Sequence, residues 1–208
     1  MNKQGVVGSQ DAVRVCTDVD LLDAAVQVIE EFGYRGLTLE RLAVAAGTSR
    51  MTLHRRDTTL PRVISGLSIR AAAELREALF PVLTATQPAN QRLEAALEAM
   101  CDVADRHLAL LAGLYSDDAG VFHAPPDHTG ALPTDEAFVA PFAKLLADGQ
   151  MDGTLHPQQD RTETATVLFN TAGWGYVQLR HAQQWSPERA RQGVIQLVMT
   201  GLAHNSSS

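Results

Sequence analysis

Three observations predict an all-α fold: apolar residues return at the helical interval of three or four from Leu21 to Leu202, helix-start and helix-stop residues punctuate the pattern, and no convincing strand, internal repeat or low-complexity block interrupts it. Composition agrees with this. Of 208 residues 45% are hydrophobic and 20% charged, which suits a globular protein with a sizeable core, and Ala and Leu dominate the apolar set, a mix that favours helix. A chain of this length holds one long domain or two short ones.

Residues 1–17 lack a helical period, contain Gly5, Gly8, Ser9 and Gln10, and read as a flexible arm. The first helix follows, with Leu21, Leu22, Ala25, Val28, Ile29 and Phe32 at helical spacing, Asp18 or Asp20 available as its cap and Gly33 as its stop. After a turn over Tyr34 to Leu37, Thr38 caps a short second helix whose inward face is Leu39, Leu42, Ala43 and Ala46, and Gly47 ends it in the left-handed conformation. Only Gly47 and Thr48 separate this helix from Ser49, which caps a short third one reading SRMTLHRR. Two short helices across a tight glycine-containing turn form a helix-turn-helix.

A fourth helix is expected from Thr58 or Thr59 to about Phe80, with Pro61 in its first turn and Pro81 disturbing its end. A fifth is expected from about Ala89 to Leu114. Residues 116–135, rich in Gly, Pro and Asp, read as a long irregular connection. Helix is expected again over 135–148, over 159–183, and after the Ser186-Pro187 pair. The division is then an arm at 1–17, a three-helix helix-turn-helix domain at 18–64, a larger helical domain at 65–204, and a frayed tail at 205–208.

The chain carries a net charge of -7, which argues against a general coat for nucleic acid, but the charge is unevenly spread. Between Gly33 and Arg62 stand six arginines (35, 41, 50, 55, 56 and 62) against Glu40 and Asp57, a local +4 that leaves -11 for the remainder. A basic island on an acidic body directs one face toward phosphate. The start of the chain lacks an apolar core behind a basic stretch, and no segment approaches the roughly 18 apolar residues of a membrane span, so a cytoplasmic protein with no membrane partner is expected. Cys16 and Cys101 follow no ligand spacing and read as ordinary thiols of a reducing compartment.

A helix that reads the major groove is short, carries donors outward and is held by apolar residues inward. In Ser49 to Arg56 only Leu53 is an unambiguous anchor. Arg50, Thr52, His54, Arg55 and Arg56 offer donors, Met51 an apolar contact for a thymine methyl, and no acid intervenes before Asp57. An arginine here pairs with the O6 and N7 edge of guanine or neutralises phosphate, and the sequence does not choose between the two for each residue.

The segment LLDAAVQVIEEFGYRGLTLERLAVAAGTSRMTLHRR resembles the DNA-binding segment of the TetR family of transcriptional regulators. The residues that carry the resemblance are Gly33, Tyr34, Gly36, Thr38, Leu42, Ala43, Ala46, Gly47, Ser49, Thr52 and Leu53, in register over about 40 positions. The chain departs from the family pattern at His54, where Tyr is usual, at Arg56, where His is usual, at Asp57, where a buried Phe is usual, and at Leu60, where a phosphate-holding Lys is common. Arg55, Arg56 or Arg62 is then available to replace the lysine contact.

The resemblance implies a repressor released from a double-stranded DNA operator by a small apolar effector, with Thr38 as a phosphate contact. DNA contacts are expected from Thr38, Ser49, Arg50, Met51, Thr52, His54, Arg55 and Arg56. It also implies that residues 65–204 form a helical ligand-binding and dimerisation domain, with a homodimer through the last two helices, for which Ala165, Ala172, Gly173, Gly175 and Ala182 offer small surfaces and Leu168, Phe169, Val194, Leu197, Val198 and Leu202 offer mass. Pocket residues expected in the body are Met100, His107, Leu111, Tyr115, Phe122, Phe142, Phe169, Trp174 and Val177, which combine apolar walls with a few polar groups.

Two rival readings remain at this level. One is an all-α enzyme using Asp102, Asp105, His107 or Asp117-Asp118 for acid-base chemistry, although no nucleophile motif or phosphate loop accompanies them. The other is a helical interaction protein whose helix-turn-helix has lost its target, with Asp57 as its best argument. No cofactor is expected. No metal is expected either, because His123, His128 and His156 do not stand four residues from another His on a helix.

Overall fold

The computed structural model describes residues 16–116 and 138–202. The arm up to residue 15, Asp117-Asp118, Phe122, His123, His128 and the tail at 205–208 lie outside the described residues. Within them the chain is helical without a strand. The helices are α1 (Val19–Phe32), α2 (Leu39–Ala45), α3 (Arg50–Arg55), α4 (Leu60–Thr84), α5 (Ala89–Arg106), α6 (Leu108–Ser116), α7 (Ala140–Asp152), α8 (Arg161–His181) and α9 (Pro187–Leu202), with a short 3-10 turn over Tyr34–Gly36.

The expected caps form. Asp18 accepts from the Leu21 amide, Thr38 from Arg41, Ser49 from Thr52 and Thr59 from Arg62, each satisfying one of the amides that a helix start leaves unpaired. Gly33 closes α1 by donating its amide to the Ile29 carbonyl, and Gly47 has φ +59 in the turn between α2 and α3. Gly36 is glycine for a different reason, since a Cβ there would lie 2.5 Å from the Phe32 Cβ.

Two apolar cores result. The N-terminal core gathers Leu21, Leu22, Ala25, Val28 and Ile29 of α1 with Leu42, Ala43, Leu53, Val63 and Leu67, and it also takes in Leu110 and Leu114 from α6. The larger core centres on α5, which packs against α4, α7, α8 and α9. A polar cluster ties α8 and α9 to α5. The Tyr176 hydroxyl donates to Asp105 at 2.6 Å, Arg180 Nε donates to the other carboxylate oxygen at 2.7 Å, and Arg191 pairs with Asp102.

Three boundaries differ from the sequence expectation. Helix α4 runs through Pro81 to Thr84, because Pro81 lies on the exposed side while Leu79, Val82 and Leu83 pack on the main core, and that burial outweighs one lost backbone hydrogen bond. The single helix expected from Ala89 to Leu114 is broken at His107. Val103 and Leu110, seven residues apart, would share one face of an unbroken helix, whereas the break sends Val103 into the main core and Leu110 into the N-terminal one. Helix α7 ends at Asp152 rather than Asp148, closed by Gly153 at φ +74. Asp152 also accepts from the Ala89 amide at the start of α5, at 2.8 Å.

The seam between α6 and the N-terminal helices is tightest at Gly113, where an added Cβ would meet Tyr34 Cγ at 2.0 Å. Ala is the better helix former, so Gly113→Ala would stabilise an isolated α6 by about 1 kcal/mol. In the folded chain it must displace the root of the Tyr34 ring, and the substitution is expected to lower stability by about 1 to 3 kcal/mol. A chemical denaturation midpoint measured against the unsubstituted protein checks the sign.

Candidate nucleic-acid interface

Helices of seven and six residues are too short to persist alone. Here α2 and α3 are held by Leu42, Ala43 and Leu53, each almost wholly buried in the N-terminal core that α1 and α4 share. With Leu53 turned inward, the remaining surface of α3 is decided: Ser49, Arg50, Met51, His54, Arg55 and Arg56 are exposed and Thr52 is half-buried. Met51 and Val44 stand among the most exposed large apolar residues of the chain. The expected DNA-contacting residues therefore lie together around one short capped helix, with Thr38 at the start of its neighbour.

Hydrogen bonding leaves donors facing outward. Thr38 Oγ1 accepts from the Arg41 amide at 3.2 Å, so its own hydroxyl hydrogen stays available. The Ser49 and Thr52 hydroxyls lie 3.0 Å apart, and one hydrogen of that pair likewise remains to be given away.

The arginines divide by partner. Arg50 Nη1 donates to Glu40 Oε1 across the α2–α3 turn, Arg56 pairs with Asp18 at 3.3 Å, and Arg62 pairs with Asp57. Among the described residues Arg55 and His54 have no such partner. Arg41 is occupied inside the domain, donating to the Gly36 carbonyl at 2.7 Å and lying over the Phe32 ring. Asp57 has φ +54, and it holds Arg62, whose side chain is only 22% exposed. The residue that departs most from the family pattern thus ends α3 and restrains a basic group instead of anchoring a core. An exposed pair such as Arg50–Glu40 is worth only about 0 to 1 kcal/mol to stability. Its partner Glu40 was not singled out from sequence, because a ten-residue separation matches no helical spacing.

In the body, the expected pocket residues converge on α8. Phe142 and Phe169 have ring centroids 6.1 Å apart, and Tyr115 and Trp174 5.4 Å apart. Met100 Sδ would lie 3.7 Å from a Cβ on Gly173, Val177 is buried in the same core, and Leu111 packs against it. Phe138, absent from the expected set, stacks on Phe169 at 5.1 Å. His107 points elsewhere, with its Nε2 3.0 Å from Glu74 of α4. Burial raises the Glu74 pKa, but the neighbouring His107 and Arg106 outweigh it and hold the carboxyl below its ordinary value. Cys101 is buried, which pushes its thiol up to about 12. Asp102 and Asp105, the acids of the enzyme reading, are both engaged by arginines. Among the described residues no cluster of His, Cys, Asp or Glu is arranged for a metal ion, and no helix is long and apolar enough to cross a membrane.

A capped, arginine-bearing helix-turn-helix carried on a larger all-helical body is an arrangement that DNA-binding regulators use. Residues 21–56 match the model for bacterial regulatory proteins of the tetR family. The helix-turn-helix segment thus matches the TetR-family model, and the chain has the fold seen in solved structures of TetR-family regulators. A protein of unknown function from Rhodococcus sp. RHA1 is 26% identical, with a TM-score of 0.66 over 88% of this chain and 93% of that one. The TetR family transcriptional regulator PfmR from Thermus thermophilus is 17% identical, with a TM-score of 0.67 over 87% and 97%. A structure from Saccharomonospora viridis in complex with choline is 18% identical, with a TM-score of 0.70 over 89% and 97%. No curated protein matches the sequence.

Proposed function

We propose that this chain acts as a homodimeric repressor that occupies a double-stranded operator and leaves it when a small, largely apolar molecule binds the helical body. The observation that carries the reading is the outward surface of α3: with Leu53 buried, Arg50, Met51, Thr52, His54, Arg55 and Arg56 form a donor-rich face beside Thr38. Thr38 and the start of α2 take phosphate, and α3 enters the major groove. A single helix of this length reads too few base pairs for a specific site, so two copies are required. Exposed apolar residues support α8 and α9 as the faces that meet: Leu197 is 74% exposed and Val167 58%, and nothing lies within 4 Å of a Cβ built on Gly175 or Gly201. By contrast Ala165, Ala172, Leu168 and Val194, also expected at a dimer interface, are buried within this one chain.

The switch rests on α6. One side of this helix carries Leu111 and Tyr115 toward the aromatic cluster of α8, and the other carries Leu110, Gly113 and Leu114 against the N-terminal core. A ligand that shifts α6 or the length of α4 changes how far apart the two recognition helices stand, and they need about 34 to 36 Å to enter successive grooves. The choline complex of a similarly folded protein supports a body able to hold a small molecule.

Arg50→Ala and Arg55→Ala are each expected to weaken operator binding, by about 1 to 3 kcal/mol where the side chain reads guanine. Loss of a phosphate contact instead lowers affinity for all sequences alike and flattens the salt dependence. Titrations of both variants and the double variant across a salt series separate these outcomes, and unchanged binding in all three removes α3 from the interface. Leu197→Glu is expected to convert the dimer to a monomer in sedimentation, whereas a compact dimer after that change places the interface elsewhere. Screening apolar metabolites for a raised melting temperature together with operator release tests the switch, for which a coupling of about 1 to 3 kcal/mol is ordinary. A ligand that stabilises the protein yet leaves operator affinity unchanged at saturation is not an effector.

A further inference from the structure

The Arg50–Glu40 pair joins the first residue of α3 to the first turn of α2, on the surface that the DNA-binding reading presents to the operator. Both side chains are 64% exposed, and the two helices are already held by Leu42 and Leu53. The pair is therefore poorly placed to stabilise the fold. It is well placed to restrict what Arg50 does at a DNA surface.

We infer that Glu40 is a specificity-determining residue that positions Arg50 for a base and penalises its use on phosphate. This rests on the DNA-binding reading above. Glu40 holds the guanidinium through Nη1 alone, and no other partner of Arg50 is found among the described residues. A guanidinium has five donors in a planar fork, so a contact through one nitrogen leaves donors for a two-bond contact with the O6 and N7 edge of guanine. A free arginine at the rim of a groove samples many rotamers and readily settles on phosphate. Tethering it removes part of that freedom before DNA arrives.

The negative charge does the rest. Glu40 is one of two acids between Gly33 and Arg62, and the other, Asp57, is already paired with Arg62. If Arg50 swings to a phosphate, Glu40 is left unpaired beside a polyanion in a site that docking has partly dried. If Arg50 stays and meets guanine, Glu40 keeps its cation. The carboxylate thus weakens every complex somewhat and the wrong complexes more, which is how discrimination is built from a repulsive element. Arg55 has no such restraint among the described residues and remains free to serve the backbone.

The test uses the full chain and duplex DNA selected from a random pool, with unsubstituted protein, Glu40→Gln, Arg50→Ala and the double variant compared on the selected duplex, on its single-base-pair variants and on mixed-sequence duplex. Glu40→Gln is expected to bind mixed-sequence duplex more tightly than the unsubstituted protein, yet to lose about ten-fold in preference at one base pair of each half-site. Arg50→Ala is expected to lose preference at that same base pair, and the double variant to discriminate no worse than Arg50→Ala alone. A purely structural role would move the melting temperature and all affinities together, without this opposition. Full preference retained by Glu40→Gln, or lost at a base pair that Arg50→Ala does not affect, overturns the inference and leaves the DNA-binding reading intact. Failure of the unsubstituted protein to bind any duplex in a salt-dependent way overturns both.

Discussion

Burial of Leu42 and Leu53 in the core that α1 and α4 also line is the constraint on which the rest of the interface depends. A helix of six or seven residues does not repay its nucleation cost in water, and the caps at Thr38 and Ser49 add only about 0.5 to 2 kcal/mol each. The tertiary core supplies what local propensity cannot. Once Leu53 is fixed inward, the 3.6-residue period turns Met51 and Arg55 outward, whereas Arg50 and Arg56, three positions either side of Leu53, reach the surface because they stand at the two ends of a six-residue helix.

The same economy joins the two parts of the chain. Helix α6 belongs to both cores, because Leu110 and Leu114 complete the N-terminal one while Leu111 packs against the larger one. Close approach at Gly113, where the Tyr34 ring occupies the space of a Cβ, leaves no slack at the seam. Closely packed contacts of this kind shift as units instead of deforming smoothly, which is the property a binding event in one core needs if the other is to register it.

Charged groups of the body are paired both where they are largely buried, as Arg92 with Asp148, and nearer the surface, as Arg191 with Asp102. Asp105 satisfies Tyr176 and Arg180 at once, Arg191 takes Asp102, and Arg92 takes Asp148. Acids that look available for chemistry in the bare sequence are thereby committed to holding α8 and α9 on α5. In the N-terminal domain the same pairing occurs at the surface, where it restrains Arg50, Arg56 and Arg62 to different degrees and leaves Arg55 free of such a partner among the described residues.

Local features were legible in the sequence because their causes lie within a few residues. Asp18, Thr38, Ser49 and Gly33 cap or close helices by contacts three or four positions away, and the inward Leu42 and Leu53 follow from period alone. The residues around α3 lie together for the same reason, being neighbours on one short helix, while Phe142, Tyr115 and Met100 approach α8 from other elements. What tertiary structure decided is whatever depends on contacts between distant segments. Pro81 remains helical because α5 covers the side of α4 beside it, and His107 breaks a continuous apolar period because its two halves serve different cores. Asp152 caps α5 from 63 positions away, and Glu40 meets Arg50 across a turn. No spacing rule encodes these meetings, since sequence period fixes which face of a helix is apolar but not which neighbour that face will find.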